Sequence, residues 1–219
     1  MKRILLSVVF VLLFAAQGLA LPCGSTISVD TILDADMTCL NGNGLNVGSN
    51  VNLDLNRHTI TGGTIGSGVN VQGSGSTVHN GTVVGFNAGV LFFGNNNTGH
   101  TLDLSLAKSY CFRLRGNGNV ARDLTTHNCK NIGVSGKGTS VQVLRVTAHS
   151  NTGNSIDVDG DTLLIQDNTS NSNGGHGIRV DDSIGSTMAG NTANGNSNSG
   201  ISIDAQFFLI TGNTTNNNG

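Results

Sequence analysis

Hydrophobic side chains recur in this chain about every 22 residues, and that spacing constrains the fold more than any single motif. Short segments of alternating polarity begin at Gly44, Gly68, Gly89, Cys111, Gly133, Ser155, Gly177 and Gly200, at intervals of 24, 21, 22, 22, 22, 22 and 23 residues. With that residue as position one, position two holds Leu45, Val69, Val90, Phe112, Val134, Ile156, Ile178 and Ile201. Position four holds Val47, Val71, Phe92, Leu114, Gly136, Val158, Val180 and Ile203, so only Gly136 interrupts the apolar pattern. A period of two makes each segment a strand, with positions two and four facing inward and three and five facing out. A unit of this length is too short for a strand plus a crossover helix. Its remaining stretches, such as Val141 with Val143 and Leu163 with Ile165, alternate as well. Each unit therefore folds as two or three short strands joined by tight bends, and successive units stack in parallel at about 4.8 Å. The predicted fold is all-β, a right-handed parallel β-helix of about eight rungs and roughly 40 Å long.

Other repeat architectures fit less well. Left-handed hexapeptide helices would show a period of eighteen, and calcium-binding nonapeptide rolls would need Gly-Gly-x-Gly-x-Asp in series, which is absent. A β-sandwich has no reason to hold a fixed period. The composition agrees: 32 Gly, one Pro, no Trp and no Glu leave few good helix formers, while turn residues are plentiful. That excludes a helical bundle. An apolar fraction of 37% with a net charge of −2 excludes disorder and argues against nucleic acid as a partner.

Three segments follow along the chain. Residues 1–20 read as a secretory signal, with Lys2 and Arg3 ahead of an apolar run and Gly18-Leu19-Ala20 at the cleavage point. Without Lys2 and Arg3 the charge becomes −4. Residues 21–43 read as a capping segment and 44–219 as the β-helix. The protein is expected outside the cytoplasm, as a secreted, periplasmic or cell-surface product, with no membrane insertion after cleavage. An oxidising compartment makes the four cysteines disulfides before metal ligands. Cys23 pairs with Cys39 across 15 residues, a closure worth about 3 kcal/mol. Cys111 then pairs with Cys129.

Asn168, Asn191 and Asn213 lie in Asn-Thr pairs 23 and 22 residues apart, so they should stack amide to amide at a bend that needs positive φ. Asn80, Asn96 and Asn97 are loop residues by the same argument. The four sequons at Asn80, Asn96, Asn168 and Asn213 are incidental in so Asn-rich a chain. His79 with His100, and His127 with His149, are spaced to stack in pairs. Neither pair has the further ligands a zinc or copper ion would need, so no metal site is expected there.

The opening of the chain, Cys23-Gly24-Ser25-Thr26-Ile27 with Cys39 and then Leu53-Asp54-Leu55-Asn56-Arg57-His58-Thr59-Ile60, resembles the secreted parallel β-helix repeat proteins of the pectin-lyase-like superfamily. Arg57 stands where many members have Gly. The resemblance runs from Cys23 to the end and implies fold more than activity, since members include lyases, hydrolases and epimerases of acidic polysaccharides and proteins without known chemistry. The Asp-Pro-His signature of the alginate epimerases is missing, because the one Pro is Pro22. Gly175-His176-Gly177 is similar to a polygalacturonase motif but does not stand in that motif's order relative to Asp181 and Asp182.

Function must then come from the outward face of the aligned strands. Position three reads Asn46, Asn70, Leu91, Arg113, Ser135, Asp157, Arg179, Ser202, and position five reads Gly48, Gln72, Phe93, Arg115, Lys137, Asp159, Asp181, Asp204. The face thus passes from apolar through basic to acidic. Leu91 and Phe93 would pack on a sugar ring, and Arg113, Arg115 and Lys137 would neutralise uronate carboxylates. Asp157, Asp159, Arg179, Asp181 and Asp182 are the candidate acid/base cluster, with Asp159 and Asp181 within about 5 Å of each other. Carboxylates that close raise a pKa or recruit a cation, Ca2+ being the one cofactor considered. Against catalysis, Asp157 lies beneath Arg179 as an ordinary ion pair, and the even period leaves no long loops to wall a cleft. Two readings stand: a non-catalytic rod binding polysaccharide, and a lyase- or hydrolase-like enzyme. The chain stops partway through the eighth turn, which reads as a fragment of a longer frame; a complete chain would associate end to end.

Overall fold

The computed structural model describes residues 21–219. The expected signal segment lies outside the described residues. Nine parallel strands form a front sheet: Ser25–Ile27, Leu45–Val47, Ser67–Val71, Ala88–Phe92, Tyr110–Arg115, Ile132–Lys137, Ile156–Asp159, Ile178–Ile184 and Ile201–Gln206. They define rungs one to nine, one more than the eight expected, because Ser25–Ile27 in the opening segment pairs in register with Leu45–Val47. The other sixteen strands form a second sheet that wraps two further faces. It continues around the corner because Thr77–Val84 and Thr98–Ser105 run through the bend unbroken.

Strand register follows the hydrophobic period. Phe112 pairs with Val134, Val134 with Ile156, Ile156 with Ile178 and Ile178 with Ile201. The inward columns are sealed through rung eight, with Val90, Phe92, Phe112, Leu114, Ile156 and Ile178 at 0% exposure, and Phe92 meets Phe112 edge to face at 5.0 Å; on rung nine Ile201 and Ile203 are partly buried. Gly136, the one gap in the apolar pattern, is filled from the next rung: a Cβ there would lie 2.6 Å from Val158 Cγ1. Its lack of a side chain makes room for Val158.

The bends explain the abundance of Asn. At the corner between the second and third faces, Asp123, Arg145, Asp167, Gly190 and Gly212 all have positive φ; at the corner leading to the front, Asn128, Ser150, Ser172, Gly195 and Asn217 do. The residue after each turns its side chain inward. Thus the Nδ2 and backbone N–H of Asn168 donate to Asn191 Oδ1 at 2.9 Å, and those of Asn191 to Asn213 Oδ1 at 2.9 Å. The expected ladder is present, but the positive φ belongs to the preceding residue. A second ladder joins Asn151, Asn173, Asn196 and Asn218 in the same way and begins at Cys129, whose N–H donates to Asn151 Oδ1 at 3.0 Å. Each ladder's first oxygen, on Asn151 or Asn168, accepts one backbone N–H, and every later one accepts two donors that would otherwise be orphaned, each such loss costing about 1–3 kcal/mol.

Both expected disulfides are formed, Cys23–Cys39 with Cα atoms 5.6 Å apart and Cys111–Cys129 at 5.9 Å. The second joins the start of rung five to the residue that leads into rung six. Asn168, one of the four sequon residues, is 1% exposed.

Candidate functional site

The front face divides into three lengths. Rungs one to three are uncharged: Asn70 Nδ2 donates to Asn46 Oδ1 at 3.2 Å, and Asn46 Nδ2 to the Gly24 carbonyl at 3.0 Å. Rungs four to six carry the apolar and basic residues, rungs seven to nine the acidic ones.

In the middle length Arg113 pairs in register with Leu91 below and Ser135 above. Its guanidinium lies over the Tyr110 ring at 4.2 Å, and that of Arg115 lies 5.9 Å from the Phe93 ring. Burial lowers the Arg113 pKa, with Tyr110 opposing and Arg115 adding to the shift. Neither arginine has a carboxylate within ion-pair distance among the described residues. Phe93 is 49% exposed. Both arginines stand on rung five, one against Tyr110 of the same strand and one reaching down to Phe93 at the end of rung four, offering aromatic surface and positive charge together.

Two cations that the strand alignment passes over belong to the same region. Lys108 and Lys130 are exposed, 22 residues apart, at the bend where the chain enters rungs five and six. Their N–H groups donate to the carbonyls of Phe86 and Ala107, which fixes them one rung above the other. The constant spacing was the available signal, but it falls outside the five aligned positions. Seven of the chain's 11 Lys and Arg lie on the two turns of residues 108–151, and five of them, Lys108, Arg113, Arg115, Lys130 and Lys137, stand on the front face or at the bend leading into it.

In the acidic length Asp157, Asp159 and Asp181 are charge-paired, while Asp182 and Asp204 have no ion-pair partner among the described residues. Asp159 is in register with Asp181 as expected, but Lys137 Nζ sits 2.5 Å from Asp159 Oδ2, and Arg179 reaches Asp181 Oδ2 at 2.5 Å. Arg179 also lies 3.9 Å from Asp157, whose Oδ2 accepts from Asn154 Nδ2 at 2.8 Å. Burial raises the Asp181 pKa; Arg179 opposes that shift, while Asp157, Asp182 and Asp204 add to it. The Lys137 pKa is raised by its bond to Asp159. Asp182, at φ 48°, lies where the register with rung nine slips between Val180 and Ser183. An open hollow beside it is lined by Asp182, Ser183, Ile184, Asp204, Ala205 and Gln206.

The histidine pairs stack as expected, His79 on His100 at 4.8 Å and His127 on His149 at 5.4 Å. No three His, Cys or Asp side chains among the described residues are grouped to hold a metal ion.

Comparison with known proteins places this geometry. No curated protein matches the sequence. Among solved structures the fold is similar to the A-module of the mannuronan C-5 epimerase AlgE6 of Azotobacter vinelandii, with a TM-score of 0.55 and 13% identity over 89% of this chain and 68% of that one. The sequence profile described as the right handed beta helix region matches residues 88–219, rungs four to nine with all the charged columns of the front face. With its single parallel coil, inward aliphatic columns and Asn-lined bends, the chain belongs to the right-handed β-helix family.

Proposed function

We propose that this is an exported protein that binds an acidic polysaccharide along rungs four to six of its front face without cleaving it. The observation that carries the proposal is the pair of arginines free of carboxylate partners among the described residues, each set against an aromatic ring, with Lys108, Lys130 and Lys137 around them. Aromatic faces suit sugar rings, and guanidinium forks suit carboxylates. The two disulfides support export, and the epimerase whose fold is similar acts on mannuronan, a polymer of the proposed class.

Against catalysis, Asp159 is paired with Lys137 and Asp157 and Asp181 with Arg179, and the hollow beside Asp182 and Asp204 is open where a cleft would be walled. Asp-Pro-His is absent, which argues against epimerisation in particular. One observation favours the enzymatic reading: Asp181 has the raised pKa expected of a general acid or base. Calorimetric titration with polygalacturonate and polymannuronate, run beside assays for new unsaturated and reducing ends, separates the two. Binding that weakens with salt, with no new ends, is the expected result. Turnover abolished by both Asp159→Ala and Asp181→Ala would replace the binding reading with the catalytic one.

A further inference from the structure

The most exposed column of the front face, position five, is self-complementary. Along the axis it reads Phe93, Arg115, Lys137, Asp159, Asp181, Asp204, on rungs four to nine. The sign changes once, between Lys137 and Asp159. Rungs one to three hold no charge at positions three and five, so the charge pattern is centred on that boundary.

We infer that a second copy of this chain docks on the front face, with the two rods antiparallel about a two-fold axis that runs along the strand direction between rungs six and seven. Such an axis lies in the contact plane, reverses the rod axis and keeps position five over position five. Rung five then meets rung eight, and rung six meets rung seven. Arg115, which has no carboxylate partner within its own chain among the described residues, faces Asp181 of the second copy, and Lys137 faces Asp159; symmetry repeats both contacts, so two new Arg115–Asp181 pairs flank a central cluster of the two Lys137–Asp159 pairs already formed within each copy. Phe93 falls opposite Asp204 on rung nine, a contact that adds no ion pair. In the parallel arrangement like charges would face each other along the whole column, so the pattern also selects orientation.

Position three adds less. Ser135 meets Asp157, and Arg113 meets Arg179, a like-charge contact that Asp157 and Asp181 beside Arg179 offset. The overlap of six rungs, five residues wide, covers about 500 Å² per copy, or about 1,000 Å² in all. That is the lower limit for a specific interface and indicates a weak, salt-sensitive dimer. It occupies the face proposed for polysaccharide but rests on the charge order alone, not on that reading.

The test is sedimentation velocity of residues 21–219 over a range of concentrations. At about 0.01 M salt, where the screening length is about 30 Å, a concentration-dependent dimer is expected; at about 1 M, with a length of about 3 Å, the monomer. Arg115→Asp and Asp181→Arg should each abolish the dimer at low salt, and the double variant should restore it, with circular dichroism checking that each remains folded. A monomer at low salt at every concentration would overturn the inference. So would failure of the double variant to restore association, or dimers that persist in both single variants. Polysaccharide titration of the same samples reports on the other proposal separately, because its readout is heat of binding to the polymer rather than rod mass.

Discussion

The front face and the third face are built on the same nine turns, yet their outward columns differ in kind. On the third face one column reads Thr59, Thr82, Asp103, Thr125, Thr147, Thr169, Thr192 and Thr214 in unbroken parallel register. Threonine is a good strand former and stacks well on itself, so repetition is what folding alone would produce. The corresponding front columns hold Asn, Gly, Gln, Leu, Phe, Arg, Lys, Ser and Asp, with no repeat longer than the three aspartates that end position five. Because the rungs are copies of one unit, each face serves as a control for the other. The uniform face records what the solenoid requires, and the varied one records a further demand.

The largest effect should come from the scaffold both faces share. Asn173→Ala removes the oxygen that accepts from both nitrogens of Asn151, leaving buried donors unpaired, and should cost about 2–4 kcal/mol in urea unfolding. A cost no greater than that of an exposed substitution would mean that the ladders are not what fixes the bends. Next, Arg113→Ala with Arg115→Ala should weaken polyuronate binding at least tenfold, about 1.4 kcal/mol, with the melting temperature nearly unchanged. Loss of binding on changing the threonine column instead would reverse the assignment of the two faces.

A smaller effect is expected at the corner carrying Asp123. Hydrogen bonds from Arg145, at 2.6 and 2.9 Å, and then from Arg122 at 2.9 Å, hold its pKa at about 2 against the effect of burial. A lowered carboxylate pKa stabilises the fold above the unfolded value of about 3.8, and that contribution is lost as pH falls from there through about 2. Asp123 is partly exposed, so the loss should be below about 1 kcal/mol and absent in Asp123→Asn. Asp181 has the opposite sign: burial raises its pKa, so the front face should gain stability on protonation in the pH range just above the usual carboxylate value. Acid unfolding of Asp181→Asn beside Asp123→Asn therefore compares the two regions directly. Smallest of all, Thr169→Val should change stability by less than about 0.5 kcal/mol and leave binding untouched.

The coil, its register and the ladder through Asn168, Asn191 and Asn213 were legible in the sequence, because a period of two within strands and of 22 between them admits one stacking. The first rung was hidden, since Ser25, which takes the place of Leu45, is polar. The ladder through Asn151, Asn173, Asn196 and Asn218 has the right spacing but lies in Ser- and Gly-rich stretches without the recurring Asn-Thr pair. At the site, the columns could be written down in advance but their pairings could not. Arg179 reaches Asp181 on its own strand more closely than Asp157 on the strand below, a choice made by side-chain rotamers that spacing does not record. Lys108 and Lys130 escaped because attention to strands leaves corners unread.

The paired nitrogens of Asn151, Asn168, Asn173, Asn191 and Asn196 tie each turn to the one that follows, and the one extra residue between Asn168 and Asn191 is taken up at the register slip beside Asp182, leaving both amide contacts in place. Such a rod is fixed at its corners and free between them, so a turn can bulge outward by a residue, and new chemistry enters through such bulges and through side chains that look outward. A lineage built this way would diversify by repainting its surface while copying its interior.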